Sequence, residues 1–388
     1  MPKKISVIVP FIHEYPSVYS TVNNIQTEME DSKYKWEIIL VENGVVDRNT
    51  PHMKKLYRWI IRQGILKYFF EDRQCGPVAR NTGVREADGD FIVFMDAHTT
   101  LGKNSIDPLA DYLSDHEECG SVSGLTSWSH YDFIRLGSYY ELFHRKEKQE
   151  SGKGSRTLPT AMHGHYMGMG HLRDKDLLIN PRPFEVVMGS QAYTMYRREE
   201  FLGLEGYFDE CRFYPHPEGH MPLKVWMTGK KVVIHPHSYH IHGMYPRSYK
   251  FSNNTTILTG VAAILKEELG DGEKLQKVRE MMFYDSPDEG QKKIDEYGGL
   301  SWSEHGIRNV LMVAYILGDV KWLDICCKYT GASGKLKQNA VEVVDATGQR
   351  ERLRNKQIMT LDEVLTMARR EKIPGMENWF DPIGDDPL

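Results

Sequence analysis

Residues 76–98 read GPVARNTGVREADGDFIVFMDAH, and this stretch decides how the chain is to be folded. Its first half predicts a helix over 76–87 and its second a strand over 90–98. The apolar run from Phe91 to Met95 stops abruptly at Asp96-Ala97-His98. A carboxylate and an imidazole two positions apart on an extended strand point the same way, so both can reach one ion or ligand. That pair suits a borderline divalent metal such as Mn2+ better than an ion with oxygen ligands only, such as Ca2+. A capping Asp beside a surface His is the bland alternative, and the fragment alone leaves both open.

Working outward, strand and helix signals alternate. ISVIVPF (5–11) is an unbroken apolar run of the kind buried on both faces of a parallel sheet, and PSVYSTVNNIQTEME (16–30) follows as a helix. WEIILVEN (36–43) is a second strand, PHMKKLYRWIIRQ (51–63) a helix, ILKYFF (65–70) a third strand and IDPLADYLSDH (106–116) a further helix. Short connections between such elements predict an α/β, Rossmann-like, doubly wound domain with right-handed crossovers. Ligands in such sheets bind beyond the carboxyl ends of the strands. Four strand tails carry polar groups there: His13 and Glu14, Glu42 and Asn43, Glu71 to Arg73, and Asp96 with His98.

The middle of the chain is less regular. GSVSGLTSW (120–128) reads as a strand, 136–150 as a helix and 152–171 as a long loop, functional or structural. Order resumes over 184–210, and KKVVIHPHSYHIHG (230–243) is a strand ending in histidines. From about 250 the chain turns helix-rich and charged, with helical spacing in 255–270, 305–318 and 361–373. This places a boundary near 248 and divides the chain into 1–248 and 249–388.

Composition narrows the class. At 388 residues the chain can bury a substantial core in one or two domains, and a formal net charge of -5 argues against a general nucleic-acid coat. Five cysteines, at 75, 119, 211, 326 and 327, form no CxxC pair and read as reduced thiols of a cytoplasmic protein. The N-terminal apolar run is strand-like and too short for a signal segment, and no stretch has the length of a membrane span.

SVIVPFIHEYPSV, IILVENGVVDRNT, the 76–98 segment, VVMGSQAYTMYRREEFLGLEGYFDE and HPEGHMPLKVWMTGKKVVIHPHSYHIHG follow one another in an order and spacing that resemble the nucleotide-sugar glycosyltransferases of the GT-A fold, nearest to the family-2-type enzymes. Asp-x-His in place of Asp-x-Asp, with a late histidine pair, also resembles the polypeptide N-acetylgalactosaminyltransferases. The likeness covers roughly residues 4–243; nothing in 250–388 matches a known pattern. It implies that Pro10, Phe11 and Glu14 line the nucleotide pocket and that Glu42 contacts uracil or ribose. Glu-Asn-Gly stands there where Asp-Asp-Gly is usual. Arg80 would face the nucleotide, and Asn81 would tie its helix to the strand. Asp96 would serve ribose, metal and catalysis, with His98 a direct metal ligand. His235, His237, His240 and His242 are on offer for a third ligand, with His240 and His242 competing as a pair on one face; the resemblance to the N-acetylgalactosaminyltransferases, with its count of six from Pro236, implies His242, and surface histidines are the alternative. Glu218 is implied as the catalytic base toward the acceptor, aided by His216 or His220, with a helix cap as its bland reading.

The expectation is therefore a metal-dependent transferase using Mn2+ or Mg2+ and a nucleotide-sugar, a UDP-sugar because Glu42 and Arg80 complement uracil. Its acceptor hydroxyl could belong to a glycan, a protein, a small molecule or a hydroxylated nucleobase in DNA. The residues after 248 form a helical extension with an acceptor role. A sugar-nucleotide nucleotidyltransferase would need a Gly-rich basic loop after the first strand, where PFIHEYPS stands. A non-catalytic nucleotide-sugar-binding module would not need the metal pair together with a base.

Overall fold

Four apolar strands lie parallel at one end of the sheet, β1 (Lys4–Phe11), β2 (Lys35–Asn43), β3 (Leu66–Glu71) and β4 (Phe91–Met95), in the order β3-β2-β1-β4. The structure is a computed structural model. It describes residues 3–12, 14, 17–44, 51–63, 66–73, 75–129, 160–161, 170–171, 182–186, 191–209, 217–243, 304–318, 320–321, 323–324, 327 and 332–355. Helices α1 (Ser17–Glu30), α2 (Pro51–Arg62) and α3 (Gly76–Arg85) connect these strands.

The alternation of side chains along each strand sorts the core into two layers. Ile5, Val7, Val9, Ile38 and Leu40 pack with Val18, Val22 and Ile25 of α1 and Leu56 and Ile60 of α2. Ile8, Ile39 and Val41 point the other way and meet Val78, Ala79 and Val84 of α3. Gly83 lets α3 lie against β1, since a Cβ there would collide with the side chain of Ile8.

The rest of the sheet is mixed. The chain continues through β5 (Thr99–Leu101), α4 (Asp107–Asp115), β6 (Cys119–Ser129), β7 (Thr160–Ala161), β8 (Gly170–His171), β9 (Phe184–Val186), β10 (Tyr193–Arg197), α5 (Arg198–Gly203), α6 (Pro217–Met227) and β11 (Lys231–Gly243). Beyond β4 the order runs β10-β6-β11-β5. β10 is antiparallel to both its neighbours, and β11 is parallel to β6 but antiparallel to β5.

Two expectations change. The strand expected over 90–98 ends at Met95, and the interval read as loop, 152–171, contains the paired strands β7 and β8. The helix expected over 136–150 and those over 255–270 and 361–373 lie outside the described residues. The helix expected over 305–318 is α7 (Glu304–Leu317), followed by α8 (Gly334–Thr347) and α9 (Gln349–Asn355). Leu311 to Ile316, Ala340, Val344 and Leu353 are buried and belong to the same apolar cluster as Ile8 and Ile39. Arg352 of α9 also pairs with Glu205, after α5, at 3.4 Å.

Candidate functional site

β4 stops where its partner changes. Tyr193 pairs with Met95, the Asp96 amide then donates to the Ala192 carbonyl at 3.2 Å, and the chain turns. The Thr99 amide (3.2 Å) and hydroxyl (2.7 Å) both donate to the Asp96 carbonyl, closing a turn over Asp96–Thr99. Asp96 and His98 are thus brought together by a turn rather than by an extended strand. The turn is pinned from α1, whose Thr21 hydroxyl lies 2.9 Å from the carbonyls of both Ala97 and Thr99. On its other flank β11 arrives antiparallel to β5, with His242 opposite Thr99, and the Gly243 amide donates to the His98 carbonyl at 2.8 Å.

This pairing delivers His242 to the turn. Its Nε2 lies 3.1 Å from His98 Nε2 and 3.2 Å from Asp96 Oδ2, and the rings meet edge to face with centroids 4.5 Å apart. The donor atoms of Asp96, His98 and His242 all fall within 4.8 Å of one another, the one such group of three among the described residues. Two imidazole nitrogens and a carboxylate oxygen face each other at this range only with a proton or a cation between them. Ligands about 2.1 Å from one metal sit roughly 3 Å apart when adjacent, so the spacing and the mixed N/O donor set both fit a borderline divalent ion.

The electrostatics agree. Burial acts to raise the Asp96 carboxyl, but the hydrogen bond from His242 and the Arg80 guanidinium outweigh it and hold the group well below the usual carboxylate range. Arg80 is buried in α3, donates from Nη2 to Asp96 Oδ1 at 2.8 Å and lies over the Phe94 ring. His240, two residues before His242, is also buried, but its ring packs on Tyr193 with centroids 5.2 Å apart and it is not a member of the group of three. Burial, then the neighbouring His242, pushes its pKa down to about 3.

Other expected site residues are distributed as follows. Pro10 and Phe11 are buried at the end of β1, opposite Val41 and Glu42. Glu42 is buried too, and its carboxylate accepts from the Tyr57 hydroxyl at 2.8 Å and from the Tyr68 hydroxyl. Glu14 reaches His98, with Oε1 2.5 Å from Nδ1. Neither the Glu14 contact nor the two tyrosines on Glu42 had a signal in the sequence. Asn81 ties α3 not to a strand but to the turn after α5: it donates to the Tyr207 carbonyl at 2.7 Å and Asp209 Oδ1 at 2.8 Å, and accepts from the Tyr207 amide at 2.9 Å. Glu218 lies in the first turn of α6, its side chain outside the described atoms, as are His13 and His216. His220 is buried against the Tyr207 ring, its pKa lowered by burial and then by Lys224.

Residues 6–199, half of the chain, match the family described as glycosyl transferase family 2. N-acetylgalactosaminyltransferase 4 of Drosophila melanogaster is 23% identical over 250 residues, covering 61% of this chain and 35% of that protein. Glycosyltransferase AglE of Haloferax volcanii is 30% identical over 93 residues, covering 24% of this chain and 29% of that one. A crystal structure of GalNAc-T7 with UDP, GalNAc and Mn2+ superposes with a TM-score of 0.58 at 15% identity, over 96% of this chain and 58% of that one. The mixed α/β sheet is therefore that of the GT-A glycosyltransferases. The chain spans about a third of the length of the curated relatives it matches first. Among the described residues no helix is long and apolar enough to cross a membrane.

Proposed function

The chain belongs to glycosyl transferase family 2, and from that membership we propose that it transfers a sugar from a UDP-sugar to an acceptor hydroxyl, with Mn2+ or Mg2+ held by Asp96, His98 and His242. The convergence of those three side chains from a turn and a distant strand is the observation that carries this reading. When bound, the metal would neutralise the charge that develops on the leaving nucleotide. Asp96, kept ionised by its neighbours, supplies the anionic ligand and faces the ribose. Arg80 sets a fixed positive group beside it, suited to phosphate or to base carbonyls. Pro10, Phe11 and Glu42 sit at the carboxyl ends of β1 and β2, the side on which such sheets bind nucleotides, which supports their place in the donor pocket. Glu218, at the start of α6, would take the proton of the acceptor hydroxyl. Residues 249–388 are assigned to an extension that serves the acceptor.

A donor panel tests this without knowledge of the acceptor. The protein is melted with UDP- and GDP-sugars, with and without Mn2+, and slow donor hydrolysis is followed. A UDP-sugar at about a hundred times its Kd should stabilise the fold by about 2.7 kcal/mol, in the presence of metal only. Equal stabilisation by GDP-sugars sinks the choice of UDP. Stabilisation indifferent to Mn2+ sinks the metal.

A further inference from the structure

Glu14 stands on the short passage from β1 into α1, and three contacts fix it there. The Ser17 hydroxyl (2.6 Å) and the Val18 amide (3.0 Å) donate to its carbonyl, and the Ile12 amide donates to its Oε2 at 3.3 Å. Its other oxygen, Oε1, is 2.5 Å from His98 Nδ1. Both side chains are largely shielded from solvent. An ionised carboxylate only accepts, so in this contact Nδ1 carries the hydrogen, and in the neutral ring Nε2 is left with its lone pair. Nε2 is the atom that faces His242 and joins Asp96 in the group of three. The same helix that begins beside Glu14 holds the His98 turn through Thr21. One end of α1 therefore fixes both the backbone and the ring of His98.

We propose that Glu14 is a positioning residue, whose carboxylate sets the tautomer and tilt of the His98 ring so that Nε2 is presented to a divalent cation. This rests on the metal reading above. It assigns Glu14 to the metal rather than to the lining of the nucleotide pocket. Partners of this kind behind a ligating histidine change metal affinity by about 10- to 100-fold when removed.

The test is Mn2+ binding to the full chain by calorimetry, without donor or acceptor. Glu14→Ala should weaken binding by about 10- to 100-fold. Glu14→Gln keeps a carbonyl acceptor for Nδ1–H and should stay within a few-fold of wild type. Ser17→Ala, which loosens the passage but spares the carboxylate, should bind normally. Nitrogen NMR of histidine in the metal-free wild type should show His98 with its proton on Nδ1, a readout that needs no variant to fold. A proton on Nε2, normal affinity in Glu14→Ala, equal losses in the Ala and Gln variants, or an equal loss in Ser17→Ala would each overturn the proposal. If wild type binds no Mn2+, or His98→Ala binds it as wild type does, the metal reading itself has failed. If those controls behave and only the Glu14 variants do not, the failure belongs to this inference alone.

Discussion

Asp96 accepts from Arg80 on one oxygen and meets His242 on the other, while its backbone closes the turn that carries His98. Removing either imidazole should therefore take away one ligand and leave the turn in place, since its backbone bonds do not involve the rings. His98→Ala and His242→Ala are each expected to lower metal-stimulated transfer on the order of a thousandfold, through several kcal/mol of lost transition-state stabilisation. His240→Ala should do the reverse. Its ring fills space against Tyr193, so truncation should cost about 2–4 kcal/mol of stability through a buried cavity while Mn2+ affinity persists. Calorimetry of Mn2+ binding beside thermal unfolding separates the two outcomes; a His240→Ala protein that loses metal and keeps its stability would reverse the assignment. That Asp96 and His98 would come together at one candidate site was legible from residue type and spacing. Glu14, Tyr57 and Tyr68 were not, because nothing in a one-dimensional pattern says which side chain will lie behind another.

At the scale of elements, the ends of the strands have opposite jobs. The carboxyl ends carry the candidate site; the amino ends are tied by a buried carboxylate. Glu37 of β2 accepts from the Ser6 hydroxyl of β1 at 2.5 Å and from the Asp88 amide at 2.9 Å, and pairs with Lys4 and Lys67 at 2.9 Å each. Burial raises its pKa, but these partners together bring it down to about 2 from the usual 4.5. A folded pKa below the unfolded one means the native state binds the proton more weakly. The stabilisation is thus fully present above about pH 4.5 and is lost as pH falls toward 2. Its size is about 3 kcal/mol from the shift. Urea unfolding across this window should show the loss in wild type and a much flatter profile in Glu37→Gln; superimposable profiles would exclude Glu37 as the cause. Helices and strands of this half were readable from apolar runs. The exception is instructive: β4 was expected to reach residue 98 because polar residues after an apolar run do not announce a turn, and the turn forms only because β10 ends its pairing at Met95 and β11 recruits Thr99.

For the whole molecule, the helices after residue 304 matter to packing whatever part they take in acceptor binding. Deletion of 331–388 strips Ala340, Val344 and Leu353 from the buried side of α7 and breaks the Arg352–Glu205 pair. The truncated protein is expected to unfold at lower temperature and to bind a dye specific for exposed apolar surface. Unchanged melting and dye binding would mean that these helices contribute nothing to the core. The alternating apolar runs determined by themselves that the chain would build a layered α/β sheet, because runs without a polar face must be covered on both sides. The Asp-x-His pair and the histidine-bearing strand likewise marked where the candidate site would form. What the tertiary structure shows directly is which histidine lies beside Asp96 and His98. His240 and His242 have the same residue type and the same parity along β11, yet antiparallel pairing with β5 sets His242 opposite Thr99 and leaves His240 packed on Tyr193. Local sequence specifies propensity and facing, whereas register against a strand some 140 positions away is fixed by packing of the entire sheet.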